Sequence, residues 1–238
     1  VKNPKKWFPD TPNLYMVTLE LKDSTGKVIE AEAEHVGFRE IYKVNINDAE
    51  QEQMQITGQK IIFRGVNRHD ASLENGSAVT NQEIIDDLKL MKQYNVNAVR
   101  TSHYPNAKIL YDLADELGIY VYAEANVESH YGAYGDHKVP IPGGDSRWVT
   151  PVLDRNMNML ELLKNHASII GWSYGNEATY TRCPLDNTYC FWAAAMAVLN
   201  RDPSRLRMYE RESDGYYHRY QKDAGADPWG METRSKNI

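Results

Sequence analysis

Apolar and polar positions alternate in short runs along the first 58 residues. The clearest run is Leu14-Tyr15-Met16-Val17-Thr18-Leu19-Glu20-Leu21, where every second side chain would share one face of an extended chain. Asp23-Ser24-Thr25-Gly26 then supplies turn chemistry, and a second run opens at Val28. The segment reads as antiparallel hairpins. Only about three or four strands can be counted, too few to close a sandwich, so the pattern predicts the last portion of a β domain begun upstream.

After Gly58 the grammar becomes strand followed by helix, repeated. A strand is predicted over 61–67. Thr80-Asn81-Gln82-Glu83 is a capping box that opens a helix with Ile84, Ile85, Leu88 and Met91 on one face. A strand over 97–100 is followed by a helix bearing Ile109, Leu110, Leu113, Ala114 and Leu117, stopped by Gly118 where a left-handed cap is wanted. A third strand covers 119–125. A Gly- and Pro-rich loop over 132–145 leads to a helix carrying Val152, Leu153, Met157, Leu160 and Leu163. Strands over 168–174 and from 206 to 209 flank a helix over 191–199 that ends before Pro203. Repeated β-α units predict an α/β fold with a parallel sheet.

A doubly wound sheet and a (β/α)₈ TIM barrel both satisfy this order. No Gly-rich phosphate loop follows the first strand, as dinucleotide binding would need. Polar and ionisable groups follow the strands instead: Asn67-Arg68-His69, Arg100-Thr101-Ser102-His103, Glu124 through Glu128 with His130, and Asn176-Glu177. A barrel keeps its active site at those strand ends. The expected organisation is therefore a β-sandwich remnant over 1–58 and the opening part of a barrel over 59–238.

Composition narrows the partners. Hydrophobic residues are 42% and charged residues 25% of 238, the balance of a globular chain, and no apolar run approaches the ~18 residues of a membrane span. A net charge of −6 with dispersed Lys and Arg leaves no footprint for a nucleic-acid backbone. Cys183 and Cys190 stand without a second pair, which fits neither a zinc ribbon nor a disulfide scaffold and leaves the compartment open. The 16 Tyr and 5 Trp against 4 Phe favour rings with a polar handle, which suit sugar faces and equally suit wet surfaces. A start at Val1 with no leader pattern reads as a fragment or a processed chain.

Cleaving an acetal near neutral pH takes one carboxylic acid to protonate the leaving oxygen and a second carboxylate as nucleophile or base. Glu177, directly after an apolar strand, can be the proton donor, since partial desolvation keeps a carboxyl protonated. Asn176 can bond a sugar hydroxyl. The competing account is that Asn176-Glu177 caps the next helix. Glu128 and His130 would share a face of an extended chain and, with Glu177, suggest a divalent ion. Oxygen ligands point to Mg²⁺ or Ca²⁺ and the histidine to a transition metal, so residue types leave the ion open. His69 and His103 are candidate substrate contacts or ordinary structural histidines. Arg100, inside a barrel strand, must be paired, either to a catalytic carboxylate or in a structural salt bridge.

Taken together, these residues resemble the β-galactosidases of glycoside hydrolase family 2, over nearly the whole chain. Asn3-Pro4, Trp7, Thr11-Pro12-Asn13-Leu14-Tyr15 and Gly37-Phe38-Arg39 resemble the end of the family's immunoglobulin-like domain. Arg64-Gly65-Val66-Asn67-Arg68-His69, Asn97-Ala98-Val99-Arg100, Ser102-His103-Tyr104-Pro105-Asn106, Glu124-Ala125-Asn126 and Gly175-Asn176-Glu177 resemble its barrel signatures. The resemblance implies Glu177 as acid/base, Glu128, His130 and Glu177 around an activating Mg²⁺, Asn176, His69 and His103 as substrate contacts, and Arg100 orienting the nucleophile. It further implies a β-galactoside substrate, the remainder of the same enzyme as a partner, and an oligomer whose contacts often lie outside this stretch. β-Glucuronidases share the barrel, and a carbohydrate-binding protein on a degenerate barrel is the reading from another class. Departures occur at Asp70-Ala71-Ser72, at Ala178-Thr179-Tyr180 and at Lys164-Asn165-His166-Ala167-Ser168. The family's nucleophile belongs to a late strand. Glu210, Glu212 and Glu232 come too early for it, so the chain alone is not expected to catalyse.

Overall fold

The computed structural model of the protein describes residues 1–46, 51–129, 141–142, 145–178 and 189–210. The amino-terminal part holds short antiparallel pieces: β1 (Trp7–Phe8) with β2 (Thr11–Pro12), β3 (Tyr15–Lys22) with β4 (Val28–Val36), and β5 (Ile41–Ile46), β6 (Gln51–Ile56) and β7 (Gln59–Lys60) as a meander. The turn after β3 forms because Asp23 Oδ1 accepts from the backbone N–H groups of Thr25 and Lys27. Then come β8 (Gly65–Arg68), α1 (Asn81–Gln93), β9 (Ala98–Thr101), α2 (Lys108–Leu117), β10 (Tyr120–Glu124), α3 (Val149–Leu163), β11 (Ile169–Asn176), α4 (Tyr189–Arg201) and β12 (Leu206–Glu210).

The strand predicted over 61–67 starts only at Gly65. Before it, the side chain of Asn97 takes the place of a ladder, accepting from Arg64 N–H at 2.7 Å and donating to Ile62 O at 2.9 Å. The capping box is present, with Thr80 Oγ1 accepting from Glu83 N–H and Glu83 accepting from Thr80 N–H. Gly118 ends α2 in the left-handed region at φ 70°, where an added Cβ would also run into the Pro9 carbonyl.

β8 to β12 form one parallel sheet in strictly sequential order. A doubly wound sheet must reverse its order at a switch point, whereas a barrel adds each strand beside the last. Sequential order with a helix after each strand is the opening part of a TIM barrel. On β9 and β10 the two faces separate by twos: Val99, Val121 and Ala123 pack with the buried faces of the helices, while Ala98 and Tyr120 pack on Trp7 and Ile56 from the amino-terminal part. On β11 the register slips against β10 after Ile169, so Ile170 joins the second cluster while Ile169 and Trp172 pack with the helices. That second cluster is the floor of the barrel. The Phe63 ring meets Tyr120 and Tyr122 edge-on above it, and Gly171 lies where a Cβ would collide with the Tyr122 ring.

Polar groups clamp the floor. Trp7 Nε1 donates to Asp115 O at 2.8 Å, and Asp115 holds His166 Nδ1 at 2.7 Å and Ser168 N–H at 2.7 Å. Arg39 reaches across to the carbonyls of Ala167 and Ile169 at 2.5 and 2.6 Å. These bonds dock the Gly37-Phe38-Arg39 stretch on the turn that feeds β11.

Candidate active site

Above the floor, the interior-facing positions turn polar. Arg100 follows Ala98 on β9, and Glu124 follows Tyr120 and Tyr122 on β10, so period two turns both charges into the barrel, with Arg100 in register with Tyr122 and Glu124 two residues further on. Glu124 is fully buried. Its Oε2 accepts from Arg100 Nε at 2.5 Å and from Ser173 Oγ at 2.6 Å, and its Oε1 lies 2.6 Å from His103 Nδ1. Arg100 Nη2 donates onward to Asn176 Oδ1 at 2.9 Å, and Asn176 Nδ2 donates to Glu128 Oε1 at 3.0 Å. Losing one partner of a buried pair of this kind leaves the other without compensation, at a cost of roughly 3–5 kcal/mol.

The local chain path explains Gly175-Asn176-Glu177. The register of β11 against β12 slips between Ser173 and Asn176, so Tyr174 and Gly175 together face a single residue of β12. This is a bulge, which re-aims the residues beyond it. Gly175 has φ 150°, and a Cβ there would lie 2.5 Å from the Val127 carbonyl oxygen. Glu177 follows at φ 43°, a left-handed conformation that costs a non-glycine residue on the order of 1 kcal/mol. Backbone held against its preference at the end of a barrel strand points to a functional position.

The structure brings most of the sequence-derived candidates together. Arg100, His103 and Asn176 belong to one hydrogen-bonded network. His69, exposed at the rim, packs edge-on to His103 with ring centroids 5.0 Å apart. Glu128 bridges to Asn176 in parallel fashion, extending β10 beside β11, and part-exposed Glu177 is next along the chain. His130 lies outside the described residues, as do Glu212 and Glu232. Glu210 closes β12 in register with Asn176. The Asn176 side chain is engaged by Arg100 and Glu128, and residues 179–188, where a helix capped by Asn176-Glu177 would begin, lie outside the described residues.

Sequence reasoning placed Glu124 at a strand end without giving it a role, and it missed Ser173 as a member of the site. Arg100 was expected to pair with a catalytic carboxylate or in a salt bridge, and the carboxylate it holds is Glu124. The available signal was parity, since Glu124 shares the face of Tyr120 and Tyr122, and Tyr122 is the register partner of Arg100.

The model of the glycosyl hydrolases family 2 TIM barrel domain matches residues 44–227, and a second family 2 model matches residues 1–39. The chain belongs to glycosyl hydrolase family 2. Among family 2 relatives, a β-galactosidase of Priestia megaterium is 41% identical over 229 residues, covering 94% of this chain and 20% of that one. A β-galactosidase of Pseudoalteromonas haloplanktis is 44% identical over 210 residues, covering 88% of this chain and 19% of that one. This family 2 chain therefore spans about a fifth of the length of these curated relatives. Among solved structures, the β-D-glucuronidase of Dictyoglomus thermophilum superposes with a TM-score of 0.73 at 27% identity, over 88% of this chain and 35% of that one.

Proposed function

We propose that the complete protein carrying this chain is a retaining β-galactosidase that releases terminal non-reducing β-D-galactosyl residues by double displacement. The observation that carries the reading is the strained, bulged presentation of Asn176 and Glu177 beside the Arg100–Glu124 pair at the carboxyl end of β11. Glu177 donates its proton to the leaving glycosidic oxygen and afterwards takes one from water. Asn176, His103 and His69 contact the sugar. Asn176 retains the capacity for this, because an amide offers two donors and two acceptor lone pairs and only one of each is spent on Arg100 and Glu128. Arg100 orients the nucleophile, a glutamate of a later strand beyond this chain.

A divalent ion fits the donor set of Glu128, Glu177 and His130. Glu128 is an exposed carboxylate at the rim, tied through Asn176 to the residue preceding Glu177, and two hard carboxylates on adjacent strands suit Mg²⁺. Glu128, Glu177 and His130 would hold it, and when bound it would supply positive charge that fixes the position of these side chains. In domain terms, residues 1–58 complete an immunoglobulin-like sandwich and residues 59–238 open the barrel.

The galactosidase reading rests on relatives more than 40% identical, against 27% for the glucuronidase structure. Assaying the complete protein on aryl β-galactoside beside aryl β-glucuronide tests it. The expected result is a kcat/KM at least ~10²-fold higher on the galactoside, a ratio within reach of site discrimination. Preference for the glucuronide assigns the second reading, and no turnover of either assigns a sugar-binding protein.

A further inference from the structure

We propose that Glu124 is the positioning residue of this site, its buried carboxylate holding Arg100 and His103 at once and setting the polar groups they present to the substrate. The inference rests on the glycosidase reading above. Two carboxylate oxygens serve three side-chain donors: Oε2 takes Arg100 Nε and Ser173 Oγ, and Oε1 takes His103 Nδ1. The backbone of Glu124 is held as well, its N–H donating to Thr101 Oγ1 at 3.0 Å.

A carboxylate only accepts, so the 2.6 Å contact with Oε1, far shorter than the 3.3 Å from Arg100 Nη2 to the same nitrogen, places a proton on His103 Nδ1. In the neutral ring Nε2 is then an acceptor, and it lies on the far side of the ring from Glu124. His103 therefore offers a ligand a defined acceptor, or a donor once the ring is protonated. The guanidinium is fixed by the same group. With Nε gripped by Glu124, Nη2 is aimed at Asn176 Oδ1, and Asn176 is the neighbour of Glu177. One buried side chain thus sets the tautomer of a substrate contact and the direction of the cation that orients the nucleophile. Glu124 is fully buried and touches no substrate, so its effect must pass through these two partners.

Glutamine at 124 would keep the shape with a single acceptor oxygen. If that oxygen stays on Arg100 and Ser173, the amide NH₂ faces His103 Nδ1, which accepts only after its proton has moved to Nε2.

The test uses the complete protein. Glu124→Gln, Arg100→Ala, His103→Ala and the two double variants are compared by kcat/KM on aryl galactosides, with thermal unfolding as the check on folding. Glu124→Gln is expected to lose ~10- to 10²-fold, and each double variant to fall within ~3-fold of its poorer single, because residues acting as a unit are not additive. Losses that multiply, or a folded Glu124→Gln within ~3-fold of wild type, overturn the proposal. Neutron diffraction of the unaltered protein needs neither a variant nor turnover. A deuteron on His103 Nδ1 facing Glu124 supports the assignment, and a ring deuterated only on Nε2 overturns it. A protein that turns over no glycoside would sink the functional reading while this measurement still judges Glu124.

Discussion

Glu177 and Gly175 show how a backbone position constrains side-chain chemistry. Glu177 sits in left-handed backbone immediately past a bulge, part-exposed beside a buried polar network. If it donates the proton, Glu177→Gln in the complete protein lowers kcat by roughly 10²–10⁴-fold on galactosides with poor leaving groups. Activated aryl galactosides, which depart without protonation, lose far less. Equal losses across a leaving-group series would remove Glu177 from the acid/base role. Gly175 makes a separate prediction. Alanine there meets the Val127 carbonyl and must adopt φ 150°, so Gly175→Ala should destabilise by about 2–4 kcal/mol, read as a lower urea midpoint. An unchanged midpoint would show that the bulge relaxes around the methyl group.

At the scale of elements, the turn between α4 and β12 carries its own ion pair. Asp202 Oδ2 lies 2.5 Å from Arg205 Nη1 and accepts from Trp172 Nε1 at 2.9 Å, while Ser204 bonds Oδ1. Burial alone would raise the Asp202 pKa, but Arg205, Ser204 and Trp172 together outweigh it and lower it from 3.8 to about 2. A carboxyl depressed by folding stabilises the native state above its unfolded value of 3.8, and that contribution is lost as the pH falls through about 2. The shift corresponds to about 2 kcal/mol. Asp202→Asn should therefore destabilise the protein at neutral pH, with the gap to wild type closing between about pH 4 and pH 2. Urea titrations across that range check it, and a gap that stays constant with pH would assign the loss to packing.

Element types were legible in the pattern because each helix had to bury one stripe against the sheet and each strand supplied alternating faces. Element edges were less so. The strand expected from residue 61 begins at Gly65, since Asn97 satisfies the preceding backbone with its side chain, and a period-two count is blind to that substitution. β11 runs on to Asn176, beyond the predicted 174, because a bulge lets the chain keep pairing after the alternation breaks.

At the scale of the whole molecule, the β3–β4 hairpin leaves Met16, Leu19 and Ile29 about two-thirds exposed. Among the described residues the barrel sheet ends on β8 and β12, both with open edges. Unpaired strand edges and uncovered apolar residues favour association. The 238-residue chain produced alone should bind a hydrophobic dye such as ANS and show no detectable turnover of aryl galactosides. Turnover by the isolated chain would mean that the nucleophile lies within it, with Glu210, Glu212 and Glu232 as the candidates.

The sequence by itself determined the class of the fold and the place of Arg100, His103 and Asn176-Glu177 at the ends of strands. Those follow from periodicity, which is a property of neighbours along the chain. Only the tertiary structure decided that the sheet grows in sequential order, that Glu124 is the carboxylate joining Arg100 to His103, and that Gly175 is required by the carbonyl of Val127. Each depends on groups far apart in sequence arriving at one point, and period and propensity hold no record of which distant atom will be there.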